Sequence, residues 1–432
     1  MSLVKEDKKV VLIVGNIRRG EYERLVEEGY VLILLGDQSF FQESIQYKIF
    51  EAKYFHDLTK LNAEFISLIR GISEQYQIEY VLCLREYFIP AKVLINTVLS
   101  KKESSAFTYN LCLDKWSMKK VLASQLGQAF LTGFKVIRSK EDLEEVANNF
   151  RFPVILKPKA LYGSLFVKKV MSVIELYSAY VDLRTTLIKY LDKKGIVSEE
   201  DKQILAEEYL SGSVHSIDGI VDGAGDVFQT PTVDVLTGKD LGFEDFGHRV
   251  RYAPSTLEVG VQENSKVLVD KAISALGLRK SAFHAEFIVT PDGPKLLEIA
   301  ARPGGHRNYV IRTAYGIDLN LETLRMFEGK KPNVTPKYQR NFCIVSPYPS
   351  RVMKFSGLQG LEFIKQRVGF SQYQVKAKPG DLIGPANKGY MSAWNVELLG
   401  VDRDLMLNEA VKLAKFEGYY DENIISTPKS VS

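Results

Sequence analysis

The sequence predicts an α/β domain followed by α+β structure, and three observations support this fold class. From residue 10 to residue 112, short apolar runs alternate with helical patterns, as in a parallel α/β unit. From about residue 113 the order becomes helix, strand, helix, strand, and later strands follow one another directly, which favours antiparallel α+β structure. The chain has 432 residues, a length that favours about three domains over one.

Changes in this pattern place the domain boundaries. We predict an N-terminal α/β domain at residues 1–112, a central domain at 113–334 and a C-terminal α+β supplement at 335–432. Within the central domain, a smaller lobe is expected at about 134–208. The supplement has no evident constellation of polar residues, so we expect it to be structural and to pack onto the central domain.

The N-terminal domain is expected to contain three apolar strands, VVLIV, YVLILLG and YVLCL, each followed by a helical pattern. The loop from Gly15 to Gly20 lies between a strand and a helix and could hold an anion at the helix N-terminus. Because the loop lacks the dinucleotide-binding fingerprint, an ordinary strand-to-helix turn is the favoured interpretation.

The central domain is expected to begin with the helix DKWSMKKVLASQLG and the strand FKVI. A second helix is opened by Ser139 with Asp142 three residues later, and strands follow in FPVILKP and LFVKKV. A long charged helix is predicted at roughly 172–205, before the strand that contains EEYL. The remaining predictions are strands at 214–221 and 226–235, a loop at 237–255 and a helix at about 263–276. In the supplement, helices are predicted near 358–366 and 403–417.

A hairpin is predicted in FHAEFIVTPDGPKLLEIAARPGG, residues 283–305. Proline, aspartate and glycine at 291–293 suit a three-residue turn, because Pro presets φ and Gly accepts positive φ. Counting outward from Asp292 gives the pairs Thr290 with Pro294, Ile288 with Leu296, and Glu286 with Glu298. The two glutamates would then share one face of the sheet, with Cβ atoms roughly 5 Å apart.

Two such carboxylates repel each other unless a cation lies between them. Together with nucleotide phosphates, they form an oxygen set that Mg²⁺ commonly uses. The hairpin therefore predicts Glu286 and Glu298 as metal ligands, and a solvated hairpin face explains the segment equally well.

Several cationic and hinge-like residues could complete a nucleotide site. Lys157 ends the strand FPVILKP and precedes a loop with Gly163 and Ser164, an arrangement that suits a triphosphate. Lys115, at a helix start, would add a second cation. The segment from Glu207 through Glu208 and Tyr209 to Leu210 ends a strand and could present a carboxylate and a backbone edge to a planar ligand. Taken singly, each of these is more commonly a surface residue.

The segment AARPGGHRN follows the second acidic strand. Arg302 could bind a phosphate or carboxylate with both arms of its guanidinium, and Gly304 and Gly305 allow close backbone approach. His306 and Arg307 extend this polar cluster.

The segment FGHRVRY supplies His248 and Arg251, which are candidates for the wall of a substrate pocket. His215 could contact a ribose. His284 lies on the same strand face as Glu286, and structural hydrogen bonding is its favoured role.

Composition excludes several other classes of function. A net charge of +4 without a long basic run does not indicate nucleic-acid binding. No apolar segment is long enough to span a membrane. Cys83, Cys112 and Cys343 fit neither a disulfide framework nor a zinc site, so we expect reduced thiols and a cytoplasmic protein.

The order of Lys115, FPVILKP, AEEYL and LLEIAARPGG resembles the ATP-grasp superfamily. HAEFIVTPDGPKLLEIAARPGG and RVRYAPSTL are most similar to L-amino acid ligases, a group of carboxylate–amine ligases. The resemblance implies an ATP-grasp fold with an N-terminal parallel α/β domain, a lid lobe and a C-terminal supplement.

The resemblance also implies a role for each residue. Lys115 and Lys157 would bind ATP phosphates, covered by the Gly163–Ser164 loop. Glu207 would accept the adenine amine, and the backbone from Glu208 to Leu210 would contact the ring edge. Glu286 and Glu298 would bind Mg²⁺, or alternatively Mn²⁺. Arg302 would steady the transferred phosphoryl group. Because Val214 stands where many relatives carry Glu, His215 is the residue expected at the ribose.

The implied reaction joins a small carboxylic acid or amino acid to an amine through an acyl phosphate, with release of ADP and phosphate. Two alternatives remain open. One is a biotin carboxylase-like enzyme. The other is a nucleotide-binding module without catalysis, suggested by the glycine-poor lid loop KALYGSLFV and by Ala300 where relatives commonly have Asn. The expected partners are small-molecule carboxylates and amines, and a homodimer is consistent with the resemblance.

Overall fold

A computed structural model describes residues 9–18, 20–193, 198–416 and 418–420. The predicted helix at 172–205 and the predicted final helix at 403–417 therefore each extend in part outside the described residues, as do both ends of the chain. Within the described residues, no helix is both long enough and apolar enough to cross a membrane.

The N-terminal domain contains a parallel sheet in the strand order β3-β2-β1-β4. Every residue of β1 is buried, as expected for a parallel strand covered by helices on both faces. This confirms the predicted α/β unit. Its strands are β1 (Val10–Val14), β2 (Val31–Asp37), β3 (Ala52–His56) and β4 (Ile78–Cys83), and its helices are α1 (Glu23–Glu27), α2 (Phe41–Ser44), α3 (Ala63–Gln75), α4 (Ile89–Val98) and α5 (Ala106–Leu113).

The lid lobe is a small antiparallel sheet in the order β5-β8-β6-β7, covered by two helices. Asp114 is the N-cap of the helix Lys115–Leu126, which comes before the lobe in the chain. Ser139 and Asp142 form the predicted capping box. The elements are α6 (Lys115–Leu126), β5 (Phe134–Ile137), α7 (Lys140–Asn149), β6 (Val154–Pro158), β7 (Lys168–Val170), α8 (Val173–Lys193) and β8 (Ile204–Glu208).

The central domain is organised by a long antiparallel sheet in the order β14-β13-β9-β11-β12-β15-β19-β17, with β10 paired to β9. The central elements are β9 (Ser213–Val221), β10 (Val227–Gln229), β11 (Val233–Thr237), β12 (His248–Ala253), α9 (Val259–Leu276), β13 (Ser281–Thr290), β14 (Gly293–Ala300), α10 (Arg307–Tyr315) and α11 (Leu319–Phe327). The C-terminal elements are β15 (Phe342–Val345), β16 (Met353–Lys354), α12 (Leu361–Lys365), β17 (Phe370–Val375), β18 (Leu382–Ile383), β19 (Trp394–Leu399) and α13 (Arg403–Lys415).

Three C-terminal strands, β15, β17 and β19, continue this same sheet. The predicted loop at 237–255 was wrong in its second half, because β12 lies there and joins β11 to β15. The His-Arg-Val-Arg-Tyr run is thus a strand that links the central domain to the C-terminal region. In LFVKKV only Lys168–Val170 forms a strand, and the residues before it form a turn.

The carboxylate hairpin has the predicted glutamate pair but a different turn. Thr290 pairs with Gly293, so the turn has two residues, Pro291 and Asp292, and Ile288 pairs with Lys295 instead of Leu296. A bulge after Glu286 then shifts the register by one residue and restores the pairing of Glu286 with Glu298. The turn is one residue shorter than predicted and the bulge was not predicted, and these two differences cancel at the pair of Glu286 with Glu298.

Candidate active site

A cavity of about 1260 Å³ lies where the lid lobe, the long sheet and the N-terminal domain meet. The alternation of β13 determines which side chains reach it. Phe283, Ala285 and Phe287 are buried in the core under the sheet, so His284 and Glu286 face the cavity side. A one-residue slip in the register of β13 would turn the buried side chains to the cavity and the cavity side chains into the core.

Glu286 and Glu298 are direct cross-strand partners, and both side chains line the cavity. Glu286 Oε1 lies 3.0 Å from His284 Nε2 and 3.8 Å from an Arg307 guanidinium nitrogen. Glu298 Oε2 lies 3.1 Å from Lys115 Nζ. Each carboxylate thus has a cationic neighbour of its own, which offsets the repulsion between them.

Fixed charges keep Glu286 ionised. Burial alone would raise its pKa, but the positive charges of His284 and Arg307 hold the pKa of Glu286 well below its usual range. Burial would likewise lower the pKa of His284, but the carboxylates of Asp218 and Glu286 raise that pKa to about 9. Desolvation lowers the pKa of His248 to about 3, so His248 is neutral at pH 7.

Three lysines and one carboxylate lie at the lid side of the cavity. Glu207 accepts a hydrogen bond from Lys157 Nζ at 2.9 Å, and its other oxygen lies 3.3 Å from Lys119 Nζ. Burial would raise the pKa of Glu207, but these two lysines lower it. Lys115 donates to the carbonyl of Leu161 in the lid loop at 2.5 Å as well as pairing with Glu298.

The predicted hinge and lid residues line the same cavity: Glu207, Glu208, Tyr209 and Leu210 from the hinge, and Gly163 and Ser164 from the lid loop. His215 does not. Its imidazole is buried on the opposite face of β9, where it lies 2.8 Å from Asp234 and 2.6 Å from the Ser213 hydroxyl. Alternation along the strand places Val214 at the cavity instead, so the proposed ribose contact of His215 is corrected.

Arg302 follows β14 and forms an ion pair with Glu86 of the N-terminal domain. A second guanidinium group lies beside the acidic pair, because Arg307 is 3.8 Å from Glu286 and donates to the Ser216 hydroxyl at 2.6 Å.

Gly304 has a packing role in place of the predicted substrate approach. A Cβ at Gly304 would lie 2.4 Å from Arg307 Cγ and 2.5 Å from His284 Nδ1, so a side chain does not fit there. The backbone N–H of Gly304 donates to Asp218 at 2.6 Å. Gly305, the next residue, does line the cavity.

Beyond Arg302, the far wall of the cavity is lined by basic and polar side chains. The predicted candidates His248, Arg251 and His306 are all here. His306 has a left-handed backbone with φ of 62°, a conformation that is uncommon for a non-glycine residue and is often found at functional sites. Burial and the charges of Lys376 and Arg251 lower the pKa of His306 well below its usual range, so it is neutral.

A divalent cation fits the chemistry of the acidic pair. Among the described residues, no group of three or more His, Cys, Asp and Glu side chains is arranged to hold a metal. Glu286 and Glu298 alone would leave several positions of Mg²⁺ for phosphate oxygens and water, the usual arrangement when Mg²⁺ binds with a nucleotide.

Sequence reasoning missed four residues of this site. Lys119 has no solvent exposure, and its position one helical turn after Lys115 was the available signal. Asp218 lies behind the acidic pair, beside His284, whereas Arg85 and Lys376 come from other parts of the chain. The C-terminal region therefore supplies polar residues to the site, contrary to the expectation that it is purely structural.

The long sheet, the lobe at residues 134–208 and this site contain the segment that matches a known family, the ATP-grasp domain. Residues 150–309 match the ATP-grasp domain family, and this confirms the resemblance that the sequence motifs indicated.

Comparisons with solved structures agree on the fold. The L-amino acid ligase from Bacillus licheniformis is similar with a TM-score of 0.79 and 18% identity, over 94% of this chain and 97% of that chain. A biotin carboxylase from Campylobacter jejuni is similar with a TM-score of 0.66 and 17% identity, over 97% of this chain and 98% of that chain. At these identities the similarity establishes the ATP-grasp fold.

Sequence relatives match over part of their length. Dapdiamide A synthase of Enterobacter agglomerans is 25% identical over 245 residues, which cover 56% of this chain and 55% of that protein. Carnosine synthase 1 of Homo sapiens is 21% identical over 239 residues, which cover 54% of this chain and 28% of that protein. The alignments thus span about half of the first protein and less of the second.

Proposed function

We propose that this protein is an ATP-dependent carboxylate–amine ligase that forms a C–N bond through an acyl phosphate and releases ADP and phosphate. The observation that carries the proposal is the cross-strand pair of Glu286 and Glu298 in a cavity that also contains Lys115, Lys157 and Arg302. The similarity to dapdiamide A synthase and to an L-amino acid ligase supports the same reaction class.

In this proposal ATP binds between the lid lobe and the long sheet. Lys115 and Lys157 neutralise phosphate charge, and the lid loop with Gly163 and Ser164 covers the phosphates. Glu207 accepts from the adenine amine, while the backbone of residues 208–210 contacts the ring edge. A bound triphosphate would draw the lysines away from Glu298 and Glu207, with which they pair in the structure.

Glu286 and Glu298 would hold the divalent cation, Mg²⁺ or Mn²⁺, which would offset negative charge on the phosphates. Arg302 would contact the transferring phosphoryl group and would exchange its ion pair with Glu86 for that contact. His284 and Arg307 fix the position of Glu286, so the acidic pair is already oriented before substrates bind.

The chemistry follows from the need to activate a carboxylate. One carboxylate oxygen attacks the γ-phosphorus of ATP, the bond to the β,γ-bridging oxygen breaks, and ADP leaves. The amine then attacks the acyl carbon, phosphate leaves with the bonding electrons, and the nitrogen loses a proton to give the amide. Closure of the lid would exclude water, which otherwise hydrolyses the acyl phosphate.

A phosphate-release screen with ATP, Mg²⁺ and pairs of amino acids or small carboxylic acids tests this function. We expect ADP and phosphate in equal amounts with an amide product, and we expect hydroxylamine to convert the acyl phosphate to a hydroxamate. Formation of AMP and pyrophosphate would contradict the proposal. ADP release that requires bicarbonate and no amine would support the carboxylase alternative, and tight ATP binding without turnover on any acid would support a non-catalytic module.

We also infer a cytosolic location from three cysteines that are all buried and unpaired. A homodimer stays a prediction, which light scattering of the purified protein tests.

A further inference from the structure

The cavity wall beyond Arg302 contains more positive charge than the proposed reaction requires. Arg302 is paired with Glu86, and Arg307 lies beside Glu286. Arg85, Arg251 and Lys376 also line the cavity, and among the described residues none of these three has a carboxylate within 4 Å.

These three cations come from three parts of the chain. Arg85 follows β4 of the N-terminal domain, Arg251 lies on β12, and Lys376 follows β17. Their charges act on one another, because Arg251 and Arg85 both contribute to lowering the pKa of Lys376. Distant segments have therefore been brought together despite their mutual repulsion, an arrangement that a bound anion would stabilise.

A network of neutral groups holds two of the cations in place. Arg251 donates to the Ser346 hydroxyl at 3.0 Å, and Ser346 donates to Asn395 Oδ1 at 2.8 Å. Lys376 Nζ donates to the same Asn395 oxygen at 2.9 Å, and the Asn395 amide lies 3.4 Å from His306 Nε2. The network orients Arg251 and Lys376 without neutralising either of them.

Donor groups remain unused at this wall. The Nε atoms of Arg85 and Arg251 are buried and have no hydrogen-bond partner among the described residues. Glu397, an acidic residue of the same wall, already accepts hydrogen bonds from Tyr309 and Gln372. A buried donor without a partner is costly, and a ligand oxygen at this position would satisfy it.

We propose that Arg85, Arg251 and Lys376 form a subsite for an additional anionic group on one of the two substrates, a side-chain carboxylate or a phosphate ester that is present besides any α-carboxylate. This inference rests on the proposed ligase function and names a substrate class within it. Surrounding protein and the two arginines lower the pKa of Lys376 to about 7, although its side chain still contacts water in the cavity. A bound anion would raise this pKa and keep the ammonium charged.

Matched substrates test the subsite. Phosphate release is measured with ATP, Mg²⁺ and one fixed co-substrate, and the other substrate is varied within three comparisons that differ by one anionic group: glutamate against glutamine, aspartate against asparagine, and phosphoserine against serine. We expect the charged member of at least one pair to have the higher kcat/KM, by about 10-fold or more. Preference for the dicarboxylic members indicates a carboxylate ligand, and preference for phosphoserine indicates a phosphate ester.

Variants assign the effect to this wall. Lys376→Gln and Arg251→Gln should each raise KM for the charged substrate about 10-fold to 100-fold and leave KM for its neutral partner unchanged. Lys376→Arg should retain the preference. Lys354→Gln, at an exposed lysine outside the cavity, is the matched control and should change neither value.

The outcomes separate this inference from the proposed function. Equal kcat/KM for charged and neutral members, with ADP released from both, would overturn the anionic subsite and leave the ligase function standing. A preference that survives both glutamine variants would also overturn it. Absence of ADP release with every pair, together with a failed broader screen, would overturn the proposed function itself.

Discussion

Glu286 and Glu298 are cross-strand partners, yet each is held by a cation from a different part of the fold. Glu286 lies 3.0 Å from His284 on its own strand, whereas Glu298 lies 3.1 Å from Lys115 at the start of α6. The site can therefore keep two ionised carboxylates side by side before any ligand arrives. Lys115 connects the acidic pair to the lid, because it also donates to the carbonyl of Leu161.

Replacing Glu298 with Gln should reduce ADP formation to less than about 1% of wild type, because a neutral amide is a poor ligand for a divalent cation beside phosphate. Steady-state ADP release measures the effect, and thermal unfolding checks that the fold is intact. Asp292→Asn, at the exposed tip of the same hairpin, is the control and should retain activity. Full activity of Glu298→Gln would remove the metal role from this residue.

Glu207 should contribute strongly to stability. It is 3% exposed and is the shared partner of Lys119 and Lys157, so Glu207→Gln would leave two buried ammonium groups facing each other without an anion. We expect the free energy of unfolding to fall by about 3 kcal/mol, measured by urea denaturation. The exposed Glu64→Gln should change it by less than about 0.5 kcal/mol. Equal free energies of unfolding for the two variants would show that burial of Lys119 and Lys157 does not require the charge of Glu207.

Asp218 should position the loop after β14. It has no solvent exposure, accepts from His284 Nδ1 at 2.9 Å and accepts from the Gly304 N–H at 2.6 Å. Asp218→Asn should lower the free energy of unfolding by about 2–4 kcal/mol, because it removes the charge that faces a buried imidazolium. Asp226→Asn, an exposed position near the same strand, is the control. A stable Asp218→Asn protein would indicate that His284 is neutral in the folded state.

The KM for a substrate with the additional anionic group should depend on pH through Lys376. Desolvation and the charges on Arg251 and Arg85 lower its pKa to about 7, whereas His306 beside it is neutral and Glu397 on the same wall has a raised pKa. The charged ammonium binds the anion, so KM should be low below pH 7 and should rise as pH increases through 7 to 9. KM measured from pH 6 to 9 checks this. In Lys376→Arg the rise should disappear, and an unchanged profile in that variant would contradict the assignment.

Local patterns were sufficient to predict the α/β and α+β organisation and the acidic pair, and the ATP-grasp fold was implied by the resemblance of the motifs to that superfamily. The β13–β14 hairpin shows why the pair was robust: a two-residue turn replaces the predicted three-residue turn, and a bulge after Glu286 compensates for it. The assignment of His215 to the ribose was wrong because it took the neighbour of Val214 without regard to strand alternation, which turns His215 to the other side of β9.

The residues that sequence reasoning missed are those that tertiary structure brings together. Arg85 and Lys376 are far apart in the chain and neither lies in a motif, so only the packing of the N-terminal domain and of β17 around the cavity places them at one wall. The strand at 248–253 was predicted as a loop because its polar residues, His248 and Arg251, do not resemble a strand with one buried face. These residues face the cavity, which is the reason for their polarity.

The most direct test is the position of a divalent cation in a crystal grown with Mn²⁺ and adenylyl imidodiphosphate. Anomalous scattering locates Mn²⁺ independently of the protein density. We predict an anomalous peak within about 2.5 Å of carboxylate oxygens of both Glu286 and Glu298 and in contact with the terminal phosphate of the nucleotide. A peak elsewhere, or a nucleotide bound with both carboxylates still paired to His284 and Lys115 and no metal beside them, would contradict the proposed role of the acidic pair.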